Sequence, residues 1–279
     1  MGAGCRGERL TDRRGHSARA RVRRAGQGRP SDARPGQRGA QRLQHRRRHQ
    51  LLPALPRALR PRAHRRGEAP DTARIMRDPD VRDAAASVVK IHGESRCDRG
   101  VEGSGFVYAA GRVMTNAHVV AGVTDPTVLV GDDRHPARVV HYDSDLDIAV
   151  LAVDGLDAPA LSFEREVGER ANVAVLGYPE DGPYDVQAGR VRAEQRLRSP
   201  DIYNEGSVIR EVLSLRALIR PGNSGGPVVN TNGDVVGVVF AASVTDKDTG
   251  YAVTADAVSG AADAGRTGTR AVDTGDCTG

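Results

Sequence analysis

The chain has no tryptophan, three phenylalanines and three cysteines among its 279 residues. A core built on aromatic packing is therefore excluded, and any hydrophobic core must be aliphatic. So few cysteines also exclude a small scaffold held together by several disulfides. No apolar run approaches the roughly 20 residues that a membrane-spanning helix needs. The N-terminus also has no apolar stretch typical of a secretory signal peptide.

Charge is distributed unequally along the chain. Residues 1–77 contain 22 arginines, no lysine and five acidic residues, which gives a net charge of +17. The whole chain has 41 basic and 36 acidic residues, so the remainder keeps 19 basic and 31 acidic residues, a net charge of −12. The sequence pI of about 9.4 therefore reflects the first segment, and the rest of the chain is acidic.

Residues 1–77 are predicted to be a disordered, arginine-rich arm. They contain too few large apolar residues to offset the entropy lost on ordering the backbone. Three interpretations compete: a basic tail that binds nucleic acid or anionic lipid, a transit-type presequence, or a translation artefact from a wrong start or an upstream frameshift. The third is preferred, because Arg, Ala, Gly and Pro are what GC-rich DNA encodes when it is read out of frame.

Beyond residue 83 the chain consists mostly of short, valine-rich apolar runs separated by Gly, Asp and Pro. This pattern is typical of an all-β sandwich or barrel. Asp80 to Val89 is expected to begin with a helix, and Ala255 to Ala264 is expected to form one capped by Thr254. The predicted strands are Ser87–Ile91, Gly105–Tyr108, Arg112–Met114, Thr127–Val130, Ala137–His141, Ile148–Val153, Asn172–Leu176, Val208–Leu215, Pro227–Val229 and Val235–Phe240.

One serine lies between glycines in a predicted turn, in the stretch GNSGGPV that begins at Gly222. A serine hydroxyl is a weak nucleophile until a base removes its proton, and acyl transfer needs backbone N–H groups aimed at the developing oxyanion. The pattern Gly222-x-Ser224-x-Gly226 also fits the nucleophile elbow of α/β-hydrolases, whose histidine follows the serine. No histidine follows His141, so the base must lie upstream.

Two upstream segments supply a base and an acidic partner. His118 lies in TNAHVV after a strand-like run, and Asp147 lies in DLDIAVL at the start of another apolar run. Asp147 is preferred to Asp145 because it directly precedes that run, and Asp143 is a weaker third candidate. The order predicts a triad in which Ser224 attacks a carbonyl, His118 transfers the proton and Asp147 orients the imidazole.

In TNAHVV, DIAVL and GNSGGP together, and in the strand Gly103–Val107, the chain resembles the trypsin-like serine proteases, above all the bacterial HtrA/DegP-like branch. The resemblance covers roughly Val81 to Val258. It implies an all-β, chymotrypsin-like fold of two six-stranded antiparallel barrels with a C-terminal helix. We expect the first barrel over residues 78–165 and the second, with the helix and tail, over residues 166–279.

The resemblance implies a serine endopeptidase that hydrolyses protein peptide bonds through an acyl-enzyme. Leu218, six residues before Ser224, indicates an apolar or small P1 residue, because a charged residue there would select basic side chains. The strand around Phe240 would pair with the substrate backbone by strand addition. The implied site residues are Gly222, Asn223 and Ser224 for the oxyanion hole, and Leu218, Val239, Phe240, Ala241 and Tyr251 for substrate binding.

The chain is similar to one group in that branch, the actinobacterial membrane-anchored periplasmic proteases of the acid-resistance (MarP) type. These lack a PDZ domain, and only 55 residues follow Ser224 here. They join the two ends of the domain by a disulfide, which the positions of Cys97 and Cys277 match; the alternative is two unpaired thiols. The resemblance implies an extracytoplasmic, membrane-associated protein, although the family's membrane helices are missing from residues 1–77. It also implies a monomeric catalytic domain that acts on proteins or peptides without a cofactor.

Other functions stay open from the sequence. A protease fold that has lost catalysis would be a peptide-binding module, and the arm alone could bind nucleic acid. A metal site at His45 and His49 is not expected, because the three arginines between them would repel a cation. Asn223 stands where zymogens that bury a new N-terminus have an aspartate. We therefore expect control by redox state or by loop ordering.

Overall fold

The computed structural model describes residues 68–278, and these residues form two closed, six-stranded antiparallel barrels. The strand order β1-β2-β3-β6-β5-β4 of the first barrel is repeated as β7-β8-β9-β12-β11-β10 in the second. The predicted fold class is therefore confirmed. The strands are β1 Val88–Ser95, β2 Arg99–Ala109, β3 Arg112–Thr115, β4 Thr127–Val130, β5 Asp133–Asp143, β6 Ile148–Val153, β7 Asn172–Gly177, β8 Asp185–Pro200, β9 Ser207–Arg216, β10 Pro227–Val229, β11 Val235–Ala242 and β12 Thr249–Thr254.

Both barrels are filled by aliphatic side chains, as the lack of aromatic residues predicts. Strand β6 is buried along its whole length. Since successive side chains of a strand point to opposite faces, it contributes to two cores. Ala149 and Leu151 pack inside the first barrel, whereas Ile148 and Val150 belong to a second cluster that includes side chains of the second barrel and of the C-terminal helix.

The C-terminal helix follows the second barrel but packs largely on the first. It is α4 in chain order and spans Ala255–Thr267, three residues longer than predicted. The Thr254 hydroxyl caps it by accepting a hydrogen bond from Ala257 N at 3.2 Å. A Cβ placed at Gly265 would lie only 2.6 Å from Val150, so the helix approaches β6 closely. The helix therefore joins the two barrels.

Three short helical segments precede the first barrel: α1 Thr72–Ile75, α2 Pro79–Asp83 and a 3₁₀ turn at Ala84–Ser87. The disordered arm was expected to extend to residue 77, but α1 already lies inside that range. The boundary is earlier because the Ile75 side chain is fully buried in the larger core cluster. The rest of the predicted arm lies outside the described residues, as do His45 and His49. Within residues 68–278, no helix is long and apolar enough to cross a membrane.

The structure joins Cys97 to Cys277 by a disulfide, so the predicted pairing is confirmed. The bridge connects the turn between β1 and β2 with the end of the chain, across 180 residues of sequence. Gly122 packs directly beneath it, since a Cβ there would lie 2.8 Å from the Cys277 sulfur. The C-terminal segment is thereby fixed to the first barrel.

A short helix, α3 Ala117–Val120, follows β3 and contains the predicted base, His118.

Candidate active site

The register of strands β3 and β6 brings His118 and Asp147 together. Thr115 is paired with Ala149 at the ends of these strands, so the segments just beyond each strand end lie side by side. Asn116 reinforces this junction, because its fully buried side-chain amide donates a hydrogen bond from Nδ2 to Asp147 O at 2.8 Å. Two residues that are 29 positions apart in sequence are thus held in one place.

His118 and Asp147 form a closely paired imidazole and carboxylate. His118 Nδ1 lies 2.8 Å from Asp147 Oδ2 and 3.0 Å from Oδ1, and the backbone N–H of His118 donates to Oδ1 at 3.0 Å. The Asp147 side chain is 3% exposed, whereas that of His118 is 28% exposed. The carboxylate is therefore sheltered from water, while part of the imidazole faces the solvent.

The two competing aspartates have other surroundings. Asp143 Oδ1 accepts a hydrogen bond from Leu146 N at 2.8 Å and so caps the turn that leads into β6. Asp145 is exposed. Among the described residues, only Asp147 of these three pairs with His118, which agrees with the preference drawn from the sequence.

Ser224 lies in a tight loop that its neighbours hold by hydrogen bonds. Asn223 is fully buried; its Oδ1 accepts from Arg220 N at 2.9 Å and its own N–H donates to Arg220 O at 3.0 Å. Gly222 has a φ of +87° and Gly225 a φ of +81°, conformations that favour glycine. Gly225 N donates to Val239 O at 2.9 Å, which ties the loop to β11.

Two backbone N–H groups of this loop have no acceptor in the described part of the chain, those of Gly222 and Ser224. Both were predicted as oxyanion-hole donors. The prediction that the N–H of Asn223 is a third oxyanion-hole donor is wrong. This N–H is already bonded to Arg220 O, because the loop uses that bond to close its own turn. Asn223 thus shapes the loop without offering a free N–H group.

The serine loop lies against the segment that carries His118, across the junction of the two barrels. Ser104 N donates to Ser224 O at 2.9 Å. Gly103 lies between the two segments, and a Cβ placed there would lie 2.7 Å from Val119 and 3.3 Å from Ser224 O. The segments therefore approach so closely that there is no room for a side chain at this position. Within residues 68–278, however, the Ser224 hydroxyl makes no hydrogen bond to His118. Catalytic hydrogen bonds are often long in unliganded structures.

The predicted substrate-binding residues occupy different places. Phe240 and Ala241 line the cleft into which His118 and Asp147 open. The Val239 side chain is fully buried and contributes only its backbone, while Tyr251 is half-buried and pairs with Ala241 across β11 and β12.

Leu218 is not brought to this cleft. Its side chain is 42% exposed, and it lines a separate depression together with Pro70 and Asp248. The position six residues before Ser224 therefore does not identify a residue of this cleft.

Arg210 is a further residue of the cleft that the sequence reasoning missed. It is 3% exposed, its Nε donates to Asp145 O at 2.7 Å, and its guanidinium lies 5.4 Å from the centre of the Phe240 ring. Burial lowers the pKa of Arg210, and nearby aspartates, Asp147 first among them, oppose that shift. Arg210 alternates with the buried Val212 and Ser214, on the face of β9 opposite to Leu213 and Leu215.

Known proteins resemble both the sequence and the fold. Residues 103–238 match the trypsin-like peptidase domain family. The serine protease Rv3671c of Mycobacterium tuberculosis is 45% identical over 195 residues, which are 69% of this chain and 49% of that relative. Its crystal structure in the active form matches with a TM-score of 0.73 at 44% identity, over 76% of this chain and 94% of that one.

A more distant relative is a probable periplasmic serine endoprotease, DegP-like, of Halomonas elongata. It is 36% identical over 142 residues, which are 49% of this chain and 28% of that protein. The chain therefore spans about half the length, or less, of these curated relatives.

Proposed function

Because the chain belongs to the trypsin-like serine peptidase family, we propose that it is a serine endopeptidase that acts through a Ser224–His118–Asp147 triad. The observation that carries this proposal is the pairing of His118 Nδ1 with the buried Asp147 carboxylate at 2.8 Å. The pairing assigns the Nδ1 proton to the bond with Asp147. The other ring nitrogen, Nε2, is then the one that accepts a proton.

In the proposed reaction Ser224 Oγ attacks the peptide carbonyl and His118 takes its proton. His118 then returns that proton to the leaving amine, and water releases the acyl group by the same route. Asp147 stabilises the imidazolium without becoming protonated. The free N–H groups of Gly222 and Ser224 are suited to receive the oxyanion, and losing one such donor typically costs about 10²- to 10³-fold in kcat.

We propose that the substrate is an extended protein or peptide segment that pairs with the end of β11 by strand addition. Phe240 and Ala241 lie on that strand beside His118, and their apolar surface favours an apolar or small side chain there. The same P1 preference was first drawn from Leu218, which lines another depression. The proposal now depends on the residues beside the imidazole.

We further propose that the catalytic domain acts outside the cytoplasm as a monomer and is associated with the membrane. The disulfide between Cys97 and Cys277 suits an oxidising compartment, and the DegP-like relative is named as periplasmic. Fractionation of cells that express the chain, followed by sedimentation of the purified protein, tests location and oligomeric state.

The competing proposal is a peptide-binding module without catalysis, which the missing hydrogen bond between Ser224 and His118 favours. Treatment with a fluorophosphonate probe and incubation with casein distinguish the two. We expect labelling and cleavage by the native chain and neither by Ser224→Ala. An unlabelled native chain that still binds peptide would establish the module instead.

A further inference from the structure

Ser104 is a fully buried serine of the first barrel that uses its N–H and its hydroxyl at the junction with the second. Its N–H donates to Ser224 O at 2.9 Å, and its hydroxyl donates to Gly222 O at 2.6 Å. The same hydroxyl accepts from Tyr178 N at 2.9 Å, and Thr115 Oγ1 donates to Ser104 O at 2.8 Å. One side chain is thus bonded to the serine loop and to the segment that follows β7.

Two of these bonds hold the serine loop on either side of Asn223. Gly222 has a φ of +87°. Because it has no Cβ, its backbone dihedral angles are less restricted than those of other residues. The hydrogen bond from the Ser104 hydroxyl therefore fixes the orientation of the peptide that follows Gly222. The bond to Ser224 O fixes the peptide two residues later. Between these two carbonyls lies the N–H group of Ser224, and the N–H group of Gly222 immediately precedes the first of them.

The neighbouring backbone is shaped to admit this contact. A Cβ placed at Gly177 would lie 2.7 Å from the Ser104 hydroxyl and 3.2 Å from Asn223 Nδ2. One at Gly225 would overlap Ser104 O and Thr115 Oγ1 and lie 3.0 Å from Asn116 N. The two barrels can therefore approach closely enough for Ser104 to reach the loop only because these positions carry no side chain.

We propose that Ser104 is a positioning residue: by holding the carbonyls of Gly222 and Ser224, it keeps the N–H groups of these two residues in the geometry that receives the oxyanion. This inference rests on the proposed peptidase function. Ser104 touches no reacting atom and acts through the loop alone. Removal of its hydroxyl is expected to lower the rate of the chemical step by roughly 10- to 100-fold, the size of effect that small misplacements produce. Ground-state binding is expected to change little.

The test compares Ser104→Ala with Ser214→Ala in the 279-residue chain. Ser214 is also a fully buried serine, but its hydroxyl has no hydrogen-bond partner among the described residues, so it controls for the loss of a buried hydroxyl. A fluorophosphonate probe gives the maximal labelling rate of Ser224 and the concentration for half-maximal rate. Cleavage of fluorescent casein gives turnover, and amide hydrogen exchange reports on residues 220–226.

We expect Ser104→Ala to lower the maximal labelling rate and casein turnover by roughly 10- to 100-fold, with the half-maximal concentration nearly unchanged. Ser214→Ala should keep native rates, and exchange at residues 220–226 should rise in Ser104→Ala alone. Native rates in Ser104→Ala, or equal losses in both variants, would overturn the proposal. If Ser104→Ala does not fold, Ser104→Cys supplies a similar volume with a weaker donor and has the same expected outcomes.

If the native chain is inactive, the proposed peptidase function is contradicted. Amide hydrogen exchange at residues 220–226 then still tests the role of Ser104. Faster exchange at residues 220–226 in Ser104→Ala than in Ser214→Ala would then support it as the residue that orders this loop. Equal exchange in the two variants would overturn it.

Discussion

At the scale of single residues, the local motifs identified His118, Asp147 and Ser224, because each lies in a short segment with its own signature. Residues that act through a contact between distant segments were missed. Ser104 and Arg210 are fixed by partners 120 and 65 positions away, Ser224 and Asp145, and no local pattern encodes such pairing. Asn223 was assigned a free N–H group because the motif does not reveal its bond to Arg220 O.

Replacing Asp147 by asparagine tests the orientation of the imidazole. We expect Asp147→Asn to lower kcat by about 10⁴-fold with little change in KM, because an amide favours the wrong tautomer of His118. The measurement is steady-state cleavage of a peptide whose sequence is taken from a mapped casein cleavage site. Asp145→Asn is the matched control, since that side chain is exposed. A comparable loss in the control would mean that charge near the cleft matters more than pairing with His118.

A second residue, Asp181, links stability to pH. Hydrogen bonds from Lys90 and His92 hold the pKa of the Asp181 carboxyl below its usual range, with Lys90 Nζ at 2.9 Å and His92 Nε2 at 2.7 Å. A depressed pKa stabilises the fold above the unfolded value of about 3.9 and loses that contribution as pH falls through the folded value. Thermal unfolding should therefore show Asp181→Asn less stable than the native chain near neutral pH, with the difference vanishing in strong acid. A difference that grows on acidification would contradict this assignment.

At the scale of elements, strands β4, β6 and β10 have the bounds that their apolar runs predict. Strand β8, Asp185–Pro200, is the longest of the twelve and was missed. Its sequence contains four arginines, two glutamines and one glutamate, and all its residues from Ala193 to Pro200 are exposed or half-buried. It is held by pairing with β9 from Arg190 to Pro200, so backbone hydrogen bonds define it where side-chain hydrophobicity does not.

Two glycines of helix α4 make a matched test of its packing on β6. A Cβ at Gly260 meets nothing within 4 Å, whereas one at Gly265 would lie 2.6 to 2.7 Å from three side-chain carbons of Val150. Gly260→Ala should stabilise the fold by about 0.5–1 kcal/mol, because alanine loses less backbone entropy in a helix. Gly265→Ala should destabilise it by about 1–3 kcal/mol through overpacking. Urea unfolding measures both, and equal effects would show that α4 does not lie tightly against β6.

At the scale of the whole molecule, one covalent bond and one helix hold the C-terminal end of the folded region to the first barrel. Cys97 lies in that barrel and Cys277 near the end of the chain, while α4 packs on β6 after the second barrel is complete. Neither connection belongs to a single barrel. Buried residues of both barrels and of α4 also share one core cluster, so unfolding either barrel would expose that core, and the two barrels are expected to unfold together.

Opening the disulfide measures how much that tether contributes. The loop spans 180 residues, and the chain-entropy model assigns about 5 kcal/mol to a loop of that size. Cys97→Ser with Cys277→Ser should therefore lower the urea midpoint, and reduction of the native chain should lower it to the same value. Reductant should have no effect on the double variant, which controls for changes elsewhere in the chain. An unchanged midpoint after reduction would mean that α4 and the barrel junction alone hold the C-terminal segment, and that the bridge contributes little to the stability of the fold.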